Sequence, residues 1–369
     1  MEKIDRDGFL SAWKKQAEVL SNWKREGKGI MGLVLTDVPE ELVYAAGAVP
    51  TSLLAEDVAF QEADKHLQGF ACSYSRSVVE RAEQEELDFL DGIIIPYACD
   101  TTRCLDLIFK YMERFKFYDC LRLPKRVNAR GVEKYFRAEL LRLASAISDF
   151  TGEKVTDENL SESIKLYNRV RSSLEKLREK IMQDGGDPAL YLDAVKSSMV
   201  LPPEISEEAL SSLVKEEGKG EAVNGPRVLV AGKMAEPPGV VDLLTNSGLS
   251  IIEDHLTVGG RWVASTVPEG EDPWQALIER QMERMPFSGI WDNRPSRASY
   301  LIERVRELKA DGVVFLVQKF CEPAEIDYPG VRRELDALNI PVLELETDLR
   351  QSSLETVRTR VDAFAEMIK

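Results

Sequence analysis

Two stretches far apart in this chain share one design. Asp91-Gly-Ile-Ile-Ile-Pro-Tyr-Ala-Cys99-Asp100 and Asp311-Gly-Val-Val-Phe-Leu-Val-Gln-Lys-Phe-Cys321-Glu-Pro323 each read as a short apolar strand running directly into a cysteine, with helical sequence after it. In an open parallel α/β sheet, ligands bind in the crevice outside the carboxyl ends of the strands. Two thiols delivered to such crevices from distant parts of the chain suggest one prosthetic group held between two lobes.

The remaining sequence alternates in the same way. Residues 1–26 read as a helix ending near Gly27, Ile30 to Thr36 as a strand, and Ala48 to Leu54 as another. Between those strands Pro39 to Ala46 reads as a helix, opened by a proline in its first turn where no amide is missed. Helical sequence follows Cys72, and a helix over 101–115 follows the strand 92–97. This βαβα order calls for a parallel sheet with helices on its faces.

Residues 131–218 differ. The periodic stretches Glu133–Phe150, Asp157–Met182 and Pro188–Val200 carry few strand signals and read as a helical insert. A Gly-rich, charged linker from Glu216 to Pro226 leads back to strands at 227–231, 249–253, 312–317 and 341–345. Helices are expected among them at 238–247, 272–285, 297–309, 323–338 and 353–368. The expected architecture is therefore α/β: two Rossmann- or flavodoxin-like parallel-sheet lobes, 1–130 and 219–369, with the helical insert between them. No sequence repeat is strong enough to relate the lobes.

A chain of 369 residues is long enough for two such domains. Its 64 acidic and 48 basic residues leave a net charge of −16, without the surplus of Lys and Arg that nonspecific binding to nucleic acid or an anionic membrane needs. The charged N-terminal segment has no apolar core of a secretory signal, and no apolar run approaches the roughly 20 residues of a membrane helix. Five cysteines are too few and too scattered for a disulfide scaffold. The expected setting is cytoplasmic and reducing, with thiols that are free or ligating.

Several familiar motifs are excluded by context. Gly27-Lys-Gly29-Ile-Met-Gly32 matches G-x-G-x-x-G, but it follows a helix and precedes a strand, the reverse of what phosphate binding at a helix N-terminus requires. There is no Walker A sequence and no G-x-S-x-G elbow. With only His66 and His255 in the chain, a histidine-driven hydrolase is a poor fit, and no C-x-x-C pair points to zinc. Cys72, Cys99 and Cys321 all fall beside strand ends or helix starts. Cys104 lies inside a helical stretch and Cys120 inside the apolar segment Phe117–Leu123, so both read as packing residues. On spacing alone, three ligating thiols compete with the plain reading that all five fill core space.

An ordered set of further blocks spans nearly the whole chain. These are Pro39-Glu-Glu41-Leu-Val-Tyr-Ala-Ala-Gly-Ala-Val-Pro50, Cys72 and the segment through Asp100, Ser247-Gly-Leu-Ser-Ile-Ile-Glu-Asp254, and Ala310-Asp-Gly-Val-Val. Lys319-Phe-Cys321-Glu-Pro323, Ile340-Pro-Val-Leu-Glu-Leu-Glu346-Thr-Asp348 and Thr359-Arg360-Val-Asp-Ala-Phe364 complete it. With these blocks the sequence resembles the 2-hydroxyacyl-CoA dehydratase and benzoyl-CoA reductase family, as one of its cluster-carrying subunits. The length and the Lys-Phe-Cys-Glu-Pro block look more like the smaller subunit of benzoyl-CoA reductases, with dehydratase small subunits close by.

The resemblance implies that Cys72, Cys99 and Cys321 hold one [4Fe-4S] cluster between the lobes, its fourth iron open to water, sulfide or a thioester oxygen. It implies three partners: a second homologous cluster-carrying subunit, in a homo- or heterodimer; an ATP-hydrolysing iron–sulfur activator that injects one low-potential electron; and an acyl-CoA. One-electron ketyl chemistry would then remove the hydroxyl of a 2-hydroxyacyl-CoA or reduce an aromatic acyl ring, under exclusion of oxygen. Glu41 is the carboxylate expected nearest the chemistry, unless it is simply a solvated first-turn acid. Arg76, Arg103 and Arg261 are candidates to meet CoA phosphates, against the plain reading of solvated arginines.

Three departures bear on substrate and partner. Ser73 stands where many relatives have proline, Met285-Pro-Phe-Ser-Gly lacks a cysteine found in some, and Glu355-Thr356 replaces a Gly-Gln pair. Other readings stay open: a non-catalytic electron relay or structural subunit, a double-cubane reductase homologue, or a metal-free two-lobe binding protein.

Overall fold

The structure is a computed structural model that describes residues 4–25, 27–217, 225–284, 296–350 and 354–369. Most of the expected linker, and the segment Met285–Gly289, lie outside the described residues.

Two four-stranded sheets form, and every strand pair in them is parallel. The first contains β1 (Ile30–Val34), β2 (Val49–Leu53), β3 (Gly92–Pro96) and β4 (Phe117–Leu121) in the order β2-β1-β3-β4. The second contains β5 (Arg227–Gly232), β6 (Ser250–Leu256), β7 (Gly312–Gln318) and β8 (Val342–Thr347) in the order β6-β5-β7-β8. The two orders are the same, so the lobes are related by topology where the sequence shows no repeat. β4 was not expected as a strand. It is an edge strand whose middle, Tyr118-Asp119-Cys120, is only half-buried, so its apolar signal is weak.

The Asp-Gly pairs show why the two lobes share local sequence. Asp91 Oδ2 accepts from Ile30 N–H at 3.1 Å and Asp311 Oδ2 accepts from Arg227 N–H at 2.7 Å, each aspartate closing the start of the neighbouring strand. The glycine after it is forced by space. A Cβ at Gly92 would come within 2.6 Å of Met31 Sδ and 2.8 Å of Phe117 Cβ; one at Gly312 would come within 2.9 Å of Phe364 and 3.0 Å of Pro341 O.

In the first lobe the helices are α1 (Arg6–Ser11), α2 (Gln16–Arg25), α3 (Glu40–Ala45), α4 (Ser73–Glu83) and α5 (Asp100–Met112). The insert supplies α6 (Val132–Thr151), α7 (Asp157–Asp184), α8 (Pro188–Val200) and α9 (Pro203–Glu216). The second lobe adds α10 (Val240–Asn246), α11 (Gly260–Val263), α12 (Pro273–Glu283), α13 (Arg297–Leu308), α14 (Glu322–Ala337) and α15 (Glu355–Met367). The long α7 begins in a reciprocal capping box, with Asn159 N–H on Thr156 Oγ1 and Thr156 N–H on Asn159 Oδ1, and ends at Gly185 with φ of 88°. Its 28 residues reach roughly 42 Å, enough to touch α3 of one lobe and α11 and β6 of the other. α8 plays the apolar counterpart. One hydrophobic cluster runs unbroken from Ile30 and Leu53 through Tyr191 and Val195 to Val230 and Leu244.

A seam of buried charge crosses the junction beside α7. Arg171 pairs with Glu41 at 2.6 Å and with Glu40 at 3.5 Å, and its guanidinium lies over the rings of Tyr167 and Trp262. Trp262 Nε1 donates to Glu40 Oε1 at 2.6 Å, Arg261 pairs with Asp37 at 3.2 Å, and Arg284 donates to Thr36 O at 2.8 Å. The ion pairs and hydrogen bonds among these tie α11, α7 or the end of α12 to the segment Thr36–Glu41 of the first lobe. Breaking a buried pair from one side leaves an uncompensated charge. Arg171→Met should therefore lower stability by roughly 3–5 kcal/mol, read as a shift in the denaturation midpoint. Adding Glu41→Gln should recover part of that loss, and no recovery would show that the two charges are not coupled.

Candidate cluster-binding site

Cys72, Cys99 and Cys321 occupy the same structural position three times over. Each is the N-cap residue of the helix that follows it, α4, α5 and α14 respectively. Cys99 and Cys321 are topological equivalents, placed where β3 and β7, the corresponding strands of the two sheets, hand over to helix. A thiol there meets backbone N–H groups that have no intrahelical partner, and the positive end of the helix dipole.

At Cys99 the third residue of the helix carries this out. Thr102 N–H donates to Cys99 Sγ at 3.4 Å, while Thr102 Oγ1 accepts from Cys99 N–H at 2.9 Å in return. In α14 the corresponding amide, Ala324 N–H, donates instead to Cys321 O at 2.8 Å. Cys72 also donates to Ser75 Oγ at 3.4 Å.

The three thiols stand close enough to act on one another. Burial pushes Cys72 up to about 12, and the neighbouring Cys321 and Cys99 add to the rise. Burial raises Cys321 as well, opposed by Lys233 and reinforced by Cys99. Lys125 lies near Cys99 and Lys233 and bonds Ala98 O. Clustered thiolates cost free energy without cation or metal, and the two lysines offset only part of it. Among the described residues, no three His, Cys, Asp or Glu side chains are spaced to hold a single metal ion. A cubane binds its thiolates on separate irons and asks for wider spacing. The donor set, three thiols on three helix caps, fits it.

Residues 35–368 match the family model described as 2-hydroxyglutaryl-CoA dehydratase, D-component. This chain belongs to that family. It is 26% identical over 372 residues to the (R)-phenyllactyl-CoA dehydratase beta subunit of Clostridium sporogenes, covering 98% of this chain and 99% of that protein. It is 27% identical to the beta subunit of the lactoyl-CoA dehydratase of Anaerotignum propionicum, with 95% of each chain covered. It is also 26% identical to a benzoyl-CoA reductase subunit of Thauera aromatica, covering 90% of this chain and 89% of that one. Dehydratase and reductase subunits are thus equally similar, and the expected lean toward the reductases finds no support in the identities.

The other expected site residues of this family member are dispersed. Glu41 is completely buried against Arg171, so it is neither a solvated first-turn acid nor a carboxylate lining an open crevice. Burial works against its ionisation, but Arg171 and Arg280 outweigh it and hold Glu41 below the ordinary range. Its charge adds to burial in pushing Glu40 up. Arg261 is likewise interior, only 1% exposed and paired with Asp37, which corrects the expectation of an arginine ready for a CoA phosphate. Arg76 pairs with Asp64 and stacks over Phe60 at 4.3 Å. Arg103 alone of the three is exposed, on the outer face of α5 beside Tyr97. Cys104 and Cys120 are half-buried; Cys104 packs at the edge of the core, and Cys120 sits on the edge strand β4. No helix among the described residues is long and apolar enough to cross a membrane.

Residues that sequence reasoning passed over complete the crevice. Gln318, the last residue of β7, donates to Ser73 Oγ at 3.3 Å and to Glu236 Oε2 at 3.1 Å, linking the Cys72 turn to the loop after β5. A glutamine closing an otherwise apolar strand was the available signal. Burial raises Glu236 to about 7, with Asp348 adding to the rise and Lys196 opposing it. A carboxyl raised in the fold contributes stability that is present below its unfolded pKa, near 4.5, and lost as pH rises through about 7. Glu236→Gln should remove that decline. It should gain on the order of 3 kcal/mol relative to wild type between about pH 5 and about pH 8, and parallel denaturation midpoints across that range would refute the assignment.

Proposed function

We propose that this chain is the iron–sulfur subunit of an ATP-activated, low-potential radical enzyme acting on an acyl-CoA thioester, with Cys72, Cys99 and Cys321 holding one [4Fe-4S] cluster. The observation that carries the reading is the threefold repetition of one cysteine cap at a single crevice between two lobes. Three protein thiols against four irons leave one corner without a protein thiol. When bound, the group would supply a low-potential electron and a Lewis-acidic iron.

The chain's own groups prepare that chemistry. Thr102 N–H donates to Cys99 Sγ, and Lys233 partly opposes the rise that burial imposes on the Cys321 thiol. Burial of Cys72 and Cys321 keeps water from the sulfurs, which together with hydrogen bonds to sulfur is how a protein tunes such a site. Gln318 and the charge seam hold the two lobes in register around the three caps.

The names of the relatives support acyl-CoA as the substrate class, and their designation as subunits of larger enzymes supports a homologous partner. The reading covers both loss of the hydroxyl of a 2-hydroxyacyl-CoA and ring reduction of an aromatic acyl-CoA, with an ATP-dependent iron–sulfur activator as electron donor. The burial of Glu41 favours one variant of it, in which this chain relays the electron and its partner holds substrate.

Iron and acid-labile sulfide per chain after strictly anaerobic purification test the assignment. About four irons are expected in the wild type and in Cys104→Ser, and loss of most of them in Cys321→Ala with the fold retained by circular dichroism. About eight irons would indicate a double cubane instead. No iron after reconstitution would return the thiols to the core.

A further inference from the structure

One amide side chain joins two cysteine turns to a buried carboxyl. Gln318 O accepts from Cys321 N–H at 3.0 Å, and Gln318 Nε2 donates to Ser73 Oγ at 3.3 Å, beside Cys72. The same Nε2 donates to Glu236 Oε2 at 3.1 Å, so both hydrogens of the amide are in use. Leu349 N–H meets Ser73 Oγ at 3.4 Å and fixes the Cys72 turn from a second direction. Glu236 is therefore one side chain removed from two helix caps that belong to different lobes.

The carboxyl also has a route to water. Glu236 is only 9% exposed, but it lines a cavity of about 380 Å³ between the ends of β2 and β5 and the flank of α8. The cavity is polar enough and large enough to hold water, and its lining is exposed at Lys14, Asp57 and Asp242.

Charges of both signs surround the carboxyl. Lys196 on α8 favours its ionisation and lies over the Trp13 ring at 4.2 Å, while Asp193 on the same helix accepts from Trp13 Nε1 at 3.1 Å. Asp348, after β8, opposes ionisation. Tyr74 of α4 is near as a neutral phenol, donating to Leu53 O at 2.9 Å, and Glu56, after β2, is paired with Arg81 at 2.8 Å. Asp57, Asp242 and Lys14 complete the charged lining of the cavity. Lys196 offsets only part of the burial penalty, and the carboxyl is raised to about 7.

We propose that Glu236 takes up a proton from cavity water when the cluster takes up an electron, acting through Gln318 on the turns of Cys72 and Cys321. One O–H bond forms at the carboxylate, and the acid form of the buffering water loses that proton. A one-electron, low-potential donor is oxidised as the cluster is reduced, so the added negative charge is balanced inside the crevice. Glu236 is a positioning residue here and touches no reacting atom. This role rests on the function proposed above. Linkage makes it reciprocal: a proton that favours reduction is itself bound more tightly after reduction, by the same factor.

The sign follows from the two protonation states. Below about pH 7 Glu236 holds its proton in both redox states and the potential is flat. Above that, the oxidised form has lost a proton that the reduced form keeps, and the potential falls as pH rises. Each tenfold drop in proton activity lowers it by up to about 59 mV for a one-electron couple. Negative charge on the thiolates moves the onset upward, never downward.

The full chain, purified anaerobically with its iron counted, is titrated with titanium(III) citrate from about pH 6 to about pH 9, and the reduced cluster is read by electron paramagnetic resonance. The wild-type potential should be flat at the acid end and fall with pH at the alkaline end. Glu236→Gln should abolish that slope while iron content and circular dichroism stay at wild-type values. Lys196→Met, which removes the charge favouring ionisation, should move the onset of the slope to higher pH. If Glu236→Gln loses its iron, Lys196→Met decides alone, and an unmoved onset overturns the proton assignment. A potential independent of pH in an iron-loaded wild type, or a slope that survives in iron-loaded Glu236→Gln, overturns it and leaves the cluster reading standing. A wild-type chain that takes up no iron overturns both.

Discussion

The pairing of Arg171 with Glu40 and Glu41 is the contact on which the rest of this structure depends. The three cysteine caps come from two different sheets, so their convergence requires the carboxyl ends of those sheets to face each other at a set distance. The apolar core joins the lobes through α8 but is nondirectional. The seam adds direction: Arg171 on α7 meets Glu40 and Glu41 on α3, while Trp262 on α11 donates back to Glu40. Such buried pairs are costly to assemble and worse to break singly, which suits a contact that specifies geometry more than it adds stability.

Given that frame, the site follows from helix physics. A helix N-terminus offers amides without internal partners, and a cysteine placed at the cap receives them at its sulfur. Cys99 shows the arrangement most completely, with Thr102 returning a hydrogen bond to the cap's own amide. Cys104, one turn further along α5, is on the helix and not at its cap, and nothing comparable surrounds it. The difference between a candidate ligand and a packing residue is here a matter of position relative to the helix end.

The crevice is asymmetric around the thiols. On one side the seam is closed, with Asp37, Glu41 and Arg261 nearly fully buried and occupied with one another. On the other, the ends of β2 and β5 stand apart and leave a cavity bounded by Trp13 and Lys196. Carboxylates thus have two fates in one crevice. Glu41 is held ionised by arginines, whereas Glu236, lacking an arginine among its partners, is pushed up to about 7 by burial. Only the second kind can hold or release a proton near neutral pH.

The βαβα order, the helical insert and the three cysteines beside strand ends were legible in the sequence, because they depend on local signals: apolar runs, 3.6-residue periodicity, and thiols next to helix starts. β4 escaped because an edge strand buries too little to show a clear pattern. The kinship of the lobes also escaped, since it lies in strand order and in two Asp-Gly contacts rather than in aligned residues. The sequence alone determined which residues could ligate and which segments would deliver them. Only the tertiary structure decided that Glu41 and Arg261 pair inside the seam, and that Gln318, Glu236 and Lys196 face the crevice. Burial and partner choice are set by residues more than a hundred positions apart, and no local pattern encodes them.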